Sequence, residues 1–118
     1  MLDTQNEQND IKIKKYLTCF TDLTETEIEI LLYLSKVGQA SVENVAIAMN
    51  ISKPTANKYL ENLYQYGFIM RMKDTTRLHG RPSYIYLHRK DKLKEKIINE
   101  IKEISEKTIK LVEKSFNE

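Results

Sequence analysis

Residues 50 to 69 read NISKPTANKYLENLYQYGFI, and the proline at position 54 constrains the fold more than any other residue of the chain. Proline has no N–H and locks φ, so within a helical stretch it fits only the first turn, where that donor has no partner in any case. A helix therefore starts at about Lys53 with Ser52 as N-cap and runs to Tyr66, burying Ala56, Leu60 and Leu63, with Gly67 closing it. Asn50 tolerates the left-handed conformation of a tight turn and ends a preceding helix, leaving Ile51 to plug the corner.

That preceding helix is short. Ser41 caps it, and Val42, Val45, Ala46 and Met49 share one face. Upstream, Thr24 and Glu27 form a capping-box pattern flanked by a Leu23–Ile28 hydrophobic staple. A helix is expected from Glu25 through Ile28, Leu31, Leu32 and Leu34 to a stop at Gly38. Asp10 is expected to cap a still earlier helix in which Ile13, Tyr16, Leu17 and Phe20 form a stripe, with the residues before it fraying. After Gly67 the period changes from helical to alternating: FIMRMK and SYIYLHR read as two antiparallel strands, and DTTRLHGRP between them is turn chemistry. From Asp91 the helical pattern runs unbroken for about 25 residues.

Composition narrows the function classes. At 118 residues the chain fits one domain. No apolar run approaches the ~18 residues of a membrane span. The N-terminus, MLDTQNEQND, is acidic and polar, unlike a secretory or transit peptide, so a cytoplasmic protein with no membrane partner is expected. Cys19 is the one cysteine, read as a small residue near the buried stripe of the first helix. His79 and His88 lack acidic or thiol companions, so no metal and no cofactor is expected. Charge is segregated along the chain. Residues 1–51 carry four Lys and eight acids, residues 52–90 eight Lys or Arg and two acids, and residues 91–118 seven of each. A basic middle third points to an anionic partner, most economically nucleic acid.

Two helices joined by a short turn, the second opening with small and polar residues, make a helix-turn-helix. With Ala56 directed at the core, Pro54, Lys58, Glu61 and Gln65 fall opposite it, flanked by Thr55 and Asn57. Base reading in this motif comes mostly from the start of the second helix, so Lys53, Thr55, Asn57 and Lys58 are the candidate readers. Lys58 suits guanine O6 or N7, Asn57 adenine, and Thr55 a base edge or a thymine methyl. Ser52 and the adjoining backbone N–H groups suit a phosphate, and Pro54 stiffens the entry. Arg71, Lys73, Arg77, His79 and Arg81 lie in or beside the strand pair that follows.

The segments LTETEIEILLYLSKVGQASVENVA, ISKPTANKYLENLYQYGFI and HGRPSYIYL, followed by a charged helix, resemble a winged helix-turn-helix domain of bacterial and archaeal transcription regulators. The likeness runs from Leu23 to Arg89 and is nearest the TrmB-like group, with MarR, ArsR and small archaeal Lrs-like relatives. It implies a mainly α fold with a small β-hairpin wing: an N-terminal tail and short helix over 1–22, a DNA-binding domain over 23–90, and a dimerisation helix over 91–118. It also implies a wing that lies along the DNA backbone or dips an arginine, Arg77 or Arg81, into the minor groove. The sugar-binding domain of long TrmB proteins has no counterpart among these residues, so their ligand chemistry is not expected. Related regulators often bind small molecules between the terminal helices and the winged domain, but no residue here identifies an effector.

In the last helix, Ile97, Ile101, Ile104, Thr108, Leu111 and Ser115 keep a heptad spacing, which Ile98, Ile109, Val112 and Phe116 widen into a broad arc. An arc of that width is expected to meet a partner helix and also the stripe of Ile13, Tyr16, Leu17 and Phe20. A homodimer follows, and two-fold symmetry makes its target a pseudo-palindromic duplex. The expected function is a dimeric, sequence-specific DNA-binding regulator, most simply a repressor. A non-specific architectural nucleic-acid binder or a winged-helix protein-interaction module would use the same fold. No nucleophilic triad, phosphate-cradling glycine loop or metal-ligand cluster is present in the pattern, so an enzyme is not expected.

Overall fold

The computed structural model describes residues 4–75 and 83–117. Its elements in chain order are α1 (Thr4–Phe20), α2 (Glu25–Val37), β1 (Gln39–Ser41), α3 (Val42–Met49), α4 (Lys53–Gln65), β2 (Ile69–Lys73), β3 (Tyr84–His88) and α5 (Asp91–Ser115).

Local chemistry explains most of the boundaries. Thr24 Oγ1 accepts from the Glu27 N–H at 3.2 Å while Glu27 Oε1 accepts from the Thr24 N–H at 2.9 Å, a closed capping box that starts α2. Thr24→Ala is therefore expected to cost about 1 kcal/mol, read as a lower urea midpoint at unchanged slope. An unchanged midpoint would mean that the staple alone fixes this helix start. Ser41 caps α3 by accepting from the Asn44 N–H at 3.1 Å, and Asn50 ends α3 in the left-handed region at φ 55°. Gly67, at φ 82°, turns α4 into β2, with the Phe68 N–H donating to the Leu63 carbonyl at 2.9 Å.

The three strands form one antiparallel sheet in the order β1-β3-β2. Ala40 lies opposite Tyr86 in one ladder, and Arg71 lies opposite Tyr86 in the other. Two strands are expected from the sequence, and the sheet has three. β1 was missed because three residues are too few to display an alternating pattern, and it becomes a strand only by pairing with β3.

One face of that sheet packs on α2, α3 and α4. Ile28, Ile30, Leu34, Val45, Leu60, Leu63 and Tyr86 are almost completely enclosed there. Leu17 and Leu93 bring the two terminal helices onto the same core, with Ile97 and Ile101 packed against it.

α1 departs from expectation at its start. It begins at Thr4, so Asp10 lies within the helix, where its carboxylate meets Lys36 Nζ at 3.2 Å. The sequence from 4 to 10 contains neither glycine nor proline to stop a helix, so the helix extends upstream of Asp10. Lys14 also ties α1 to α2, with Glu29 at 2.7 Å and Glu25 at 3.8 Å. Cys19 is exposed, against the expectation of a place near the buried stripe, because it lies two positions past Leu17 and so about 200° around the helix.

α5 makes the molecule long. The radius of gyration is 17.1 Å, whereas a compact chain of this length would have about 13.5 Å. Beyond Ile101 the helix runs clear of the core, and Ile104, Ile109, Leu111, Val112 and Phe116 are between 41% and 76% exposed. No helix among the described residues is long and apolar enough to cross a membrane.

Candidate nucleic-acid interface

The head of α4 is built by its cap. Ser52 is extended, at φ −71° and ψ 157°, and its Oγ accepts from the Thr55 N–H at 3.3 Å while donating to Thr55 Oγ1 at 2.8 Å. Pro54 lies in the first turn, as the sequence requires. Ala56, Leu60 and Leu63 are buried beneath, which turns Lys53, Pro54, Asn57 and Lys58 outward and leaves Thr55 half-buried. No acid stands in the first turn. Pro54 has no N–H and the Thr55 N–H is taken by the cap, so the Lys53 N–H and the positive end of the helix dipole act with the lysines to favour an anion.

Lys53 Nζ is 2.9 Å from Glu43 Oε1 of α3, with 60% of its side chain exposed. An exposed ion pair of this kind holds the two helix starts together weakly and exchanges readily for a phosphate. Asn57 and Lys58 are exposed at the surface.

On the sheet, Lys73 is exposed at the end of β2. Arg77, His79 and Arg81, the other cations assigned to the wing, lie outside the described residues, as do Gly80 and Pro82.

Arg71 is corrected. The sequence reading grouped it with the wing cations that meet DNA, but its side chain is only 19% exposed and is taken up by its own fold. The guanidinium carbon lies 4.0 Å from the ring centre of Tyr64 and 4.1 Å from that of Tyr84, between the two rings. Its Nη1 donates to Glu61 Oε2 at 2.5 Å. Glu61 Oε1 accepts from Gln65 Nε2 at 3.0 Å, so both carboxylate oxygens are engaged. Glu61 and Gln65, placed by helical geometry on the groove-facing side, thus bond to each other, and Glu61 also to the sheet.

The electrostatics agree with that arrangement. The Gln65 amide, joined by the Arg71 charge, outweighs burial and holds the Glu61 carboxyl below its ordinary range. Burial opposes the Arg71 charge, but Tyr86 and Glu61 overcome it and raise the guanidinium above its ordinary range. Burial also pushes the Tyr86 phenol up.

This cluster was missed because its members come from three elements. Alternation does put residues 69, 71 and 73 on one face of β2, but which tyrosines of β3 meet them depends on a register that no turn signal in the sequence fixes. A neighbouring pair of cations also serves the fold. Arg89 Nη1 donates to the Gly67 carbonyl, and Lys96 Nζ lies 5.0 Å above the Phe68 ring.

The residues assigned to a dimer surface divide into two groups. Leu17 is corrected, since it is buried in its own chain's core where α1 packs on α2, and Ile97 and Ile101 are partly buried against that core on α5, which lies along α1. Phe20 is partly buried, while Ile13, Tyr16, Ile104 and Leu111 remain exposed. Between the end of α1 and α5 is a cleft of about 280 Å³, lined by Cys19, Phe20, Thr21, Asp22, Glu100, Glu103 and Ile104. Among the described residues there is no group of three or more His, Cys, Asp or Glu that could hold a metal ion.

Residues 17–91 match the family model described as "Sugar-specific transcriptional regulator TrmB". Among solved structures the chain is similar to a possible transcriptional regulator from Methanosarcina mazei Go1, at 14% identity and a TM-score of 0.74, over 91% of this chain and 90% of that one. It is similar to TrmBL2, described as an archaeal chromatin protein with a novel mode of DNA binding, at 17% identity and a TM-score of 0.63, over 90% of this chain but 38% of that one. It is also similar to a mutant of MepR from Staphylococcus aureus bound to an oligodeoxyribonucleotide, at 19% identity and a TM-score of 0.58, over 98% and 81%. At these identities the likenesses establish the fold, a winged helix-turn-helix. Sequence comparison with curated proteins finds no significant match.

Proposed function

This chain belongs to the TrmB family of transcriptional regulators, and from that premise we propose that it is a homodimeric, sequence-specific reader of double-stranded DNA. The observation that carries the reading is the head of α4: a side-chain-capped helix start, free of acids in its first turn, with Lys53, Asn57 and Lys58 directed outward. Asn57 and Lys58 read base edges in the major groove, with Thr55 beside them. Ser52, the Lys53 ammonium and the backbone N–H beside Ser52 hold a phosphate. Lys73 begins the wing's contribution, which Arg77, His79 and Arg81 continue along the backbone or into the minor groove.

The exposed arc of α5 supports the dimer. Ile104, Ile109, Leu111, Val112 and Phe116 would leave an apolar surface facing water in a single chain. Two α5 helices packed antiparallel cover it, with Ile13, Tyr16 and Phe20 of α1 beside them. A two-fold dimer presents two copies of α4, so the operator is a pseudo-palindrome with half-sites about one helical turn, or a multiple of it, apart. Occupying such a site in promoter DNA represses transcription, and a small-molecule effector entering between the terminal helices and the winged domain would adjust it. The setting is the cytoplasm, where chromosomal DNA is within reach.

Fluorescence anisotropy with a random-sequence duplex pool, titrated across salt, tests the DNA-binding part of this reading. Affinity is expected to fall linearly on logarithmic axes as counterions are released. Lys73→Ala is expected to reduce that slope by about one for each bound chain, with little change in stability. A wild-type affinity independent of salt, or no binding even at low salt, would point instead to a protein partner.

A further inference from the structure

We propose that Arg71 is a positioning residue for DNA binding: held between Tyr64 and Tyr84 and bonded to Glu61, it pins the wing to α4 and cancels the one carboxylate on that helix. The inference rests on the DNA-binding reading above.

The geometry joins the parts that must cooperate. Glu61 and Tyr64 belong to α4, Arg71 to β2 and Tyr84 to β3. A single guanidinium therefore touches the reading helix and both strands of the wing. The buried contacts of Leu60, Leu63, Phe68, Ile69 and Tyr86 and the Gly67 turn hold the base of the sheet to α4, and Arg71 adds the charged link toward the outer end of the strands. A planar cation with rings on both faces resists sliding, and its bond to a carboxylate resists rotation. The distance from the head of α4 to the wing is thereby set.

Arg71 also settles the charge balance of α4. Glu61 is the only acidic residue between Lys53 and Gln65, and it lies one turn beyond Lys58 on the same side of the helix. Its side chain is 40% exposed, so it faces the approaching phosphates unless another charge meets it. Arg71 supplies that charge from within the fold. Lysine would not reproduce the arrangement, since an ammonium group has no flat face to place between two rings.

A residue of this kind is distinguished from a direct phosphate contact by a double-mutant cycle. Arg71→Met should weaken binding to the random-sequence duplex pool by about tenfold, and adding Glu61→Gln should recover about threefold of that loss, the share due to the uncovered carboxylate, while the share due to the lost pin remains; Glu61→Gln in the wild-type background should change affinity by less than about 1.5-fold. If Arg71 touched DNA directly, Glu61→Gln would act alike in both backgrounds and the effects would add. Amide exchange without DNA gives an independent readout. Residues 69–73 and 84–88 should exchange faster in Arg71→Met and in Tyr84→Leu, the latter retaining both charges and serving where Arg71→Met fails to fold.

Additive effects on affinity, or unchanged exchange in the two strands of a folded variant, would overturn the inference while the DNA reading stood. Failure of the wild-type protein to bind the pool at low salt would overturn the DNA reading and the positioning role with it, even if the exchange result showed the clamp itself to be intact.

Discussion

Replacing Leu111 and Val112 together by aspartate is expected to leave the chain monomeric and to lower its affinity for a duplex with two half-sites by about a hundredfold or more. Both side chains are exposed within a single chain, at 63% and 49%, so the change removes no packing from the winged domain. Monomer stability should stay within about 0.5 kcal/mol of the wild type. The loss of affinity comes from elsewhere. Once one half-site is bound, a dimer delivers its second α4 at high effective concentration, and a monomer must instead bind each half-site independently. Introduced charges cannot be buried unpaired between helices, so the dimer dissociates instead. Sedimentation at micromolar concentration reads the assembly, and titration against one-site and two-site duplexes reads the affinity. A doubly substituted chain that still sediments as a dimer would place the interface away from this part of α5.

Leu60→Ala carries the largest expected effect on stability, about 3 kcal/mol within the 2 to 5 kcal/mol usual for such a truncation. Leu60 is fully buried on the inner side of α4, among the residues that join this helix to α2 and the sheet. Removing its isobutyl group leaves a cavity that close-packed neighbours cannot fill without shifting. Against a total stability of about 5 to 15 kcal/mol, the loss is a large fraction. Urea unfolding followed by circular dichroism measures it. A loss under about 1 kcal/mol would mean that α4 relaxes inward, which would itself tilt Asn57 and Lys58 and alter DNA binding. The same truncation therefore links the core to the reading surface.

The helical part of the fold was legible because its boundaries are made by single residues. Thr24 with Glu27, Ser41, Asn50, and Ser52 before Pro54 each supply a hydrogen bond or a backbone conformation that few other residues provide. What could not be read depends on contacts between distant segments. The first seven residues of α1 carry no strong helix signal, and the contact that ties their end to α2 is the distant pair Asp10 and Lys36. β1 exists only as a partner of β3. Ile97 and Ile101 share one heptad with Ile104 and Leu111, and Leu17 shares one stripe with Ile13 and Tyr16, so periodicity alone cannot divide those that face the chain's own core from those left exposed.

The candidate site shows the same division. The head of α4 follows from capping and helical phase, so Ser52, Lys53, Asn57 and Lys58 appear where the sequence places them. Arg71 does not, since a cation in a strand beside a basic loop looks like a DNA contact until the opposing rings and carboxylate are located.

The central claim is that α4 reads base sequence, and its most direct test is selection from a library of random duplexes at near-physiological salt, with wild type and Lys58→Ala treated side by side. The wild type is expected to enrich a two-fold symmetric motif, with the variant losing preference at one position in each half-site while retaining the remainder. Retention of duplex without any enriched sequence, or the same motif recovered with both proteins, would contradict it.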